Sequence, residues 1–352
     1  MNTRMSKTLE SARKVLLTIL LALAIGAVFI IAFGENPFSA YIALVQGAFK
    51  GKLHLGTTLS TFTPLLLTSV AFCVAAEAGA FNVGVEGEVF LGGIVAAYLG
   101  VNWGFLPVPA LMIVCFLGAM LVSAAWAFIP AVLRAYFNVS EVCTTILMNS
   151  VALQITSYLV SGPMSAGTAN AQSKPVLVTL PQLMKPSNLN AGIFIAIIVV
   201  VLVIFMLYKT TLGFKIRAVG KNPSHADYVG ISSKRIFITS MMISGMMGGI
   251  AGCIQVLGAY GYFLNNFAAG LGSNGMLAAL IVRSNVLATP FMAFFLAILN
   301  SGAMGMQQAT GVPKALVDTI TAVFIIIATM DTLFEFKKNS TKKKAKKEVT
   351  EG

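Results

Sequence analysis

Charge is what this chain has least of: 10% of its 352 residues are Asp, Glu, Lys or Arg, and 57% are hydrophobic. Soluble domains carry about 25% charged residues, so with a mean hydropathy of +0.86 a water-soluble globule is excluded and a polytopic membrane protein is expected. Histidine is almost missing. His54 and His225 both lie outside the proposed spans, and no HExxH occurs, so buried zinc and Ser-His hydrolysis lack their residues. The cysteines Cys73, Cys115, Cys143 and Cys253 stand singly in apolar segments with no CxxC pair, and read as small buried hydrophobes. No GxxxxGK[ST] occurs either, so ATP is not bound by that route and any ATP hydrolysis is the work of another subunit. Neither a metal nor a cofactor is expected, nor catalysis by this chain.

What is present is a series of apolar runs long enough to cross a hydrocarbon core about 30 Å thick. Ten segments are read, at 15–33, 56–76, 81–100, 105–133, 140–161, 191–208, 235–257, 268–282, 286–308 and 315–336, with an interfacial helix at 38–50. The first has a basic flank like a signal peptide, but its apolar run is longer than an h-region and lacks an Ala-x-Ala site, so it counts as a span. The third and eighth carry too many Gly and polar residues for lipid-facing helices and are expected to be broken or re-entrant. The fold class is therefore an all-α polytopic bundle of about ten transmembrane segments in two inverted-repeat-like halves, because Gly-rich polar stretches follow both the second span (80–93) and the seventh (267–275). Residues 1–336 form the transmembrane domain.

The formal net charge of +12 reflects topology. Ten crossings put both termini on one side, and 19 of the 24 Lys and Arg residues then fall there against five opposite, which predicts cytoplasmic termini. No basic face is interleaved with aromatics, so nucleic acid is not a partner. The lysine-rich tail, 337–352, has the composition of a disordered cytoplasmic segment lying near anionic membrane lipid. Residues 162–190, with Pro163, Pro175, Pro181 and Pro186, read as an external loop without regular helix that is able to dock an outside partner.

Two stretches carry the chemistry. Phe81-Asn-Val-Gly-Val-Glu-Gly-Glu-Val-Phe-Leu-Gly-Gly93 sets two carboxylates and an amide inside apolar sequence, where a carboxylate at mid-bilayer costs about 2.5 to 3.5 kcal/mol even on lenient scales. Such a stretch belongs where helices pack tightly or border a wet path. Along this segment Asn82, Glu86 and Val89 or Phe90 share a helical face, while Glu88 points about 200° away from Glu86 at about 100° per residue. Asn82, Glu86, Asn149 and Asn274 are the candidate path residues, and satisfaction of helix ends at a kink is the competing reading. Asn138 or Ser140 can cap the fifth span with Glu141 in its first turn. Gly245 with Gly249, and Gly248 with Gly252, are spaced for close helix crossing. The second stretch, within the cytoplasmic segment 209–234, has Asn222 as N-cap, Pro223 at the first helical position and Gly230 at C′, which predicts a short surface helix over 223–229. Docking to a cytosolic partner suits that helix, and an amphipathic connector is the alternative.

Three stretches together, Phe81-Asn-Val-Gly-Val-Glu-Gly-Glu88, Asn138-Val-Ser-Glu-Val-Cys-Thr-Thr-Ile-Leu-Met-Asn149 and Gly213-Phe-Lys-Ile-Arg-Ala-Val-Gly-Lys-Asn-Pro-Ser-His-Ala-Asp-Tyr-Val-Gly-Ile231, resemble the permease subunits of bacterial ABC importers in the branched-chain amino acid, ribose and simple-sugar permease family. Met306-Gln-Gln-Ala-Thr-Gly-Val-Pro-Lys-Ala-Leu-Val-Asp318 is similar to the nucleoside branch. The resemblance implies an ABC importer permease fold in the bacterial plasma membrane, paired with a second, often non-identical permease. It also implies two cytoplasmic ATP-binding cassette ATPase domains and a lipid-anchored substrate-binding protein outside. The coupling element would be carried by Lys221, Asn222, Pro223, His225, Asp227, Tyr228 and Gly230. The chain departs from the family at Glu88, where Gln is frequent, so a substrate contact does not carry over there.

Two rival readings remain open at this point. One is an ion-coupled secondary carrier in which Glu77, Glu86 or Glu88 binds a proton or Na⁺. The other, an intramembrane enzyme, lacks a nucleophile with a buried base.

Overall fold

The structure, a computed structural model, describes residues 24–323. The first and last expected spans, 15–33 and 315–336, fall partly outside those residues, and the lysine-rich tail falls wholly outside. The chain divides into two compact units, residues 49–298 and a smaller one in which 24–48 join 299–323, with both boundaries inside helices.

The larger unit is built from helices α3 (Gly51–Glu77), α4 (Val85–Asn102), α5 (Val108–Phe137), α6 (Glu141–Ser161), α7 (Gly192–Lys209), α8 (Thr211–Lys221), α9 (Pro223–Tyr228), α10 (Ser233–Ile254) and α11 (Leu271–Ile281), and the first half of α12 (Thr289–Thr310). The smaller contains α1 (Ala24–Ala32) and α2 (Pro37–Phe49), which meet at 112°, the rest of α12, and α13 at 314–323. Helix α2 covers nearly all of the stretch 38–50, expected to be an interfacial helix, and it forms a bent pair with α1. Within that unit Ala40, Leu44, Ala303 and Met306 form the core, and Gly47 lies so close to Gly305 that a Cβ on it would stand 2.7 Å from the Gly305 Cα.

Among the described residues seven helices are long and apolar enough to cross a membrane, α3, α4, α5, α6, α7, α10 and α12, or eight with the bent pair α1 and α2 taken as one span. They coincide with seven of the ten expected segments. The eighth expected segment, 268–282, is α11, whose 11 residues reach only about 16 Å at 1.5 Å per residue. It is too short to cross the core.

Burial sorts the spans. Helices α3 and α4 are each 72% buried and α10 is 67% buried across their most apolar windows, whereas α6 is 17% buried. The glycines of α10 explain its place. Gly245 and Gly249 face α5, where added Cβ atoms would strike the backbone at Ser123 and Ala119. Gly248 and Gly252 face α4, where they would strike Glu88 and the Val89 carbonyl. Two pairs of glycines, each spaced four residues, thus seat two neighbours at backbone contact.

Segment 162–190 contains no helix, as expected, and carries a short antiparallel pair, β1 (Gln182–Met184) with β2 (Leu189–Asn190). It is stitched to the end of α10, where Ser173 N–H donates to the Phe263 carbonyl and Leu180 N–H to that of Leu257. There α10 continues as a π-helical turn, Gln255–Tyr260, with Gly258 against the Asn190 amide. Cys73, Cys115 and Cys253 are buried as expected, but Cys143 is exposed, because α6 leaves one face uncovered in the single chain.

Candidate functional site

A helix that starts inside an apolar bundle has first-turn N–H groups that water does not reach, and each unpaired group costs several kcal/mol there. Helix α4 starts in this way. After α3 the chain turns at Gly79 (φ +77) and runs non-helically through Phe81 to Gly84 before Val85 opens the helix. Asn82 therefore precedes the helix, and the expectation that it shares a helical face with Glu86 is overturned. Its Oδ1 accepts from Gly84 N–H (2.9 Å), and its Nδ2 donates to Glu88 Oε1 (2.9 Å) and Ser244 Oγ (2.9 Å). Asn82 is 1% exposed and Glu88 1% exposed. Ser123 Oγ donates to the Glu88 carbonyl (2.8 Å), so this buried group ties α4 to α5 and α10.

Glu86 turns the other way. Its carboxylate accepts from Gly270 N–H (3.1 Å), Ser273 N–H (3.4 Å) and Ser273 Oγ–H (3.1 Å), the first turn of α11. It supplies in trans the acceptor that the N-cap residue Gly270, lacking a side chain, does not. Thr68 of α3 donates to the Leu271 carbonyl (3.2 Å). Asn149 of α6 accepts from Gly87 N–H (2.8 Å) and donates to the Val83 carbonyl (2.9 Å). Asn274 lies half-buried on α11 beside Ser273, its own N–H bonded to the Gly270 carbonyl (2.9 Å).

Of the four candidate path residues, Glu86, Asn149 and Asn274 thus border the starts of α4 and α11, and Asn82 is turned inward against α10. Ser123, Ser244 and Ser273 enter these networks without having been singled out in the sequence. Ser273 adjoins Asn274 in the Gly-rich stretch. Ser244 adjoins Gly245 at the start of the glycine-spaced stretch, and Ser123 is a lone hydroxyl on α5.

The second constellation lies in segment 209–234. Thr210 Oγ1 accepts from Gly213 N–H (3.2 Å) and caps α8, whose Ile216 and Val219 are buried while Phe214 and Lys215 are exposed. Gly220 meets the Glu77 carbonyl at backbone contact, and Arg217 donates to the Leu207 carbonyl and lies 5.2 Å from the Tyr208 ring centre. These contacts fix α8 to the ends of α3 and α7. Asn222 Oδ1 accepts from His225 N–H (3.0 Å), Pro223 opens α9, and Gly230 takes φ +82. The predicted cap, first position and C′ residue are all found where expected. Asp227 receives the Ser233 N–H (2.9 Å) and hydroxyl (2.8 Å), which hold its carboxyl below the ordinary value of 3.8. Lys221, His225 and Tyr228 are exposed, Tyr228 to 90%. Beside α9 a cleft of about 410 Å³ is lined by Gly79, Arg134, Gly220, Pro223, Lys234 and Phe237.

One expected cap is not formed. Asn138 ends α5 in the left-handed region (φ 54) and accepts from Arg134 Nη1 (2.7 Å), while Ser140, at the N-cap of α6, makes no side-chain cap bond. Glu141 instead pairs with Arg134 Nε at 3.1 Å, so a salt bridge joins the two helix ends.

A multi-pass bundle with helices that start inside it, and a capped helix held on one face, has the build of a membrane transport subunit. The chain belongs to the family described as branched-chain amino acid transport system / permease component, whose sequence model matches residues 54–329. It is 32% identical to the guanosine ABC transporter permease protein NupP of Bacillus subtilis over 97% of this chain and 99% of that protein. It is also 32% identical to the nucleoside ABC transporter permease protein NupB of Lactococcus lactis, over 93% of each chain. Against the glucose ABC transporter permease protein TsgB13 of Haloferax volcanii it is again 32% identical, over 91% of this chain and 87% of that one.

Proposed function

We propose that this chain is one permease subunit of an ATP-driven importer that carries nucleosides into the cell. The observation that carries the reading is the likeness, over nearly the whole of both chains, to permeases named for guanosine and nucleosides. The glucose permease among the relatives favours a simple sugar as the second substrate reading. In both cases the solute is neutral and rich in hydroxyls, and the half-buried amides and carboxylate at the starts of α4 and α11 suit it.

On this reading the permease crosses the plasma membrane about ten times in two inverted halves, with both termini cytoplasmic, which the 19-to-5 distribution of basic residues supports. A second, paralogous permease completes the path, and an extracytoplasmic lipoprotein delivers solute. A cytoplasmic ATPase docks on Lys221, Asn222, Pro223, His225, Asp227, Tyr228 and Gly230. The exposure of Tyr228 and the fixed ends of α9 support that assignment, since a rigid element transmits a push and a loose one absorbs it. Glu86, Asn149 and Asn274 border the path, and Asn82 holds α4 in place behind it.

Reconstitution of the permease pair with its ATPase and binding protein in vesicles, followed by labelled nucleoside uptake, tests the reading. Uptake should require ATP. Uptake that persists without ATP and collapses with an ionophore would replace this mechanism with an ion-coupled one.

A further inference from the structure

A chain of aromatic rings leads out of the core between α10 and α11. Phe90 and Phe263, both buried, meet Phe267 edge to face with ring centres 5.7 and 5.1 Å away, and Phe267 meets Tyr260 in the same manner at 5.9 Å. Tyr262 lies 6.4 Å from Tyr260. The inner rings are locked in place, for a Cβ on Gly93 of α4 would stand 2.9 Å from the Phe267 ring. The outer two are not covered. Tyr260 and Tyr262 are half-buried, and neither hydroxyl has a hydrogen-bond partner among the described residues. Tyr260 ends the π turn Gln255–Tyr260 and Gly261 follows at φ +76. Such turns are rare and occur often at functional sites.

The rings lie along a route. At one end the Gly261 carbonyl accepts the Val176 N–H of segment 162–190 (2.9 Å). At the other, Asn265 accepts from the Ser157 hydroxyl of α6 (2.7 Å), and Gly270 and Ser273 bond Glu86. Glu86 and Gly93 are seven residues apart on α4, hence on one face and about 10 Å apart along the axis. A rigid aromatic wall and a set of hydrogen-bonding groups are thus separated by about the length of a nucleoside.

We propose that Tyr260 and Tyr262 are specificity-determining residues for the base of a nucleoside: the flat base stacks on the tyrosine rings while the ribose hydroxyls reach the polar groups at the starts of α4 and α11. This rests on the reading that the chain carries nucleosides past Glu86. Stacking on a ring accepts any base but holds a two-ring purine over a larger area than a one-ring pyrimidine. An interfacial anchor or plain packing is the ordinary use of such tyrosines, and neither sorts solutes by the size of a base.

The test is uptake of labelled guanosine and uridine by the complete complex in vesicles: permease pair, ATPase and binding protein. Stacking of one base on an aromatic ring is worth about five- to a hundredfold in affinity. Tyr260→Leu and Tyr262→Leu should lower kcat/KM for guanosine about tenfold or more and for uridine less. Tyr260→Phe and Tyr262→Phe, which keep the ring, should stay near the wild type for both. The binding protein is the same throughout, so a change in the ratio of the two solutes belongs to the permease. Leucine variants that assemble and leave that ratio unchanged overturn the inference, as do phenylalanine variants that fall as far as the leucine ones. Should the leucine variants fail to assemble, or the wild type carry only one of the two solutes, photolabelling of the wild-type complex with an azidopurine nucleoside decides. Adducts within 260–267 are expected, and labelling confined to other segments overturns the inference. A wild-type complex that takes up neither nucleoside overturns instead the functional reading beneath it.

Discussion

Asn149 of α6 accepts the N–H of Gly87, the third residue of α4, at 2.8 Å and returns its own amide N–H to the Val83 carbonyl at 2.9 Å. One side chain therefore satisfies a donor and an acceptor at a largely buried helix start. The fit is close, since a Cβ on Gly87 would stand 2.9 Å from the Asn149 oxygen. Docking of α6 and the start of α4 are thus one event. Asn149→Ala leaves a buried N–H and a carbonyl without partners, at about 1 to 3 kcal/mol each, and should lower the thermal midpoint of the purified permease by several degrees. Asn149→Asp keeps the acceptor but loses the donor to Val83, and should be no more stable than the alanine variant. An unchanged midpoint in both would remove this amide from the account of why α4 starts where it does.

Much of the fold is legible in the order of the residues, and the remainder is hidden for identifiable reasons. Span positions follow from length and apolarity, and the seven long helices lie where those runs lie. Gly and polar content correctly set α4 apart from lipid-facing helices, although it runs unbroken from Val85 to Asn102 and is not the broken or re-entrant segment expected, because the irregular stretch ends at Gly84 before the helix opens. The ends of α9 are readable to the residue because Asn222, Pro223 and Gly230 act through their own local backbone. The direction of Asn82 is not readable, because rotation by about 100° per residue applies only inside a helix and Asn82 lies before one. The partners of Glu86 lie 184 and 187 residues away, and no local pattern encodes such a pairing. Nor does one encode the π turn at Gln255–Tyr260, which packs Gly258 on Asn190.

Asp227 and Ser233 should give α9 a pH dependence. The Ser233 backbone N–H, with its hydroxyl second, depresses the Asp227 carboxyl below its ordinary value of 3.8. A group whose value is lowered on folding stabilises the fold above its unfolded value, and that contribution is lost as pH falls through the lower folded value. Hydrogen exchange at 223–233 should therefore be protected evenly at neutral pH and lose protection only at pH below 3.8. Asp227→Asn should show the unprotected pattern at every pH. Equal protection in the variant and the wild type at neutral pH would show that this pair does not hold α9 to α10.

Gly230 is the second determinant of α9. Its φ of +82 costs a residue with a Cβ about 1 to 2 kcal/mol, and a β-branched one is poorly tolerated there. No atom lies near the position where a Cβ would stand, so Gly230→Val acts through backbone strain and not through a clash, and should leave insertion and assembly intact. The proposed docking role of α9 makes the variant lose substrate-stimulated ATP hydrolysis and uptake together. Gly230→Asn, better suited to positive φ, should recover much of both. Full stimulation in the valine variant would detach α9 from coupling.

Glu88 separates the importer reading from its ion-coupled rival. Its Oε1 takes the Asn82 amide (2.9 Å), but its Oε2 has no hydrogen-bond partner among the described residues and lies against Gly248, where a Cβ would stand 3.0 Å away. A buried carboxyl so placed is what an ion-coupled carrier would use, and Glu88→Gln would abolish its transport. A permease driven by a cytosolic ATPase needs only the shape and the acceptor for Asn82, both of which glutamine retains. The prediction is therefore that E88Q keeps ATP-dependent uptake close to the wild-type rate. Its midpoint should be equal or higher, because replacing a buried ionisable group by a neutral one of the same size is often neutral or stabilising. Loss of uptake in an assembled, thermally intact E88Q complex would mean that the carboxyl itself takes part in transport, and the ATP-driven account would have to yield at that residue.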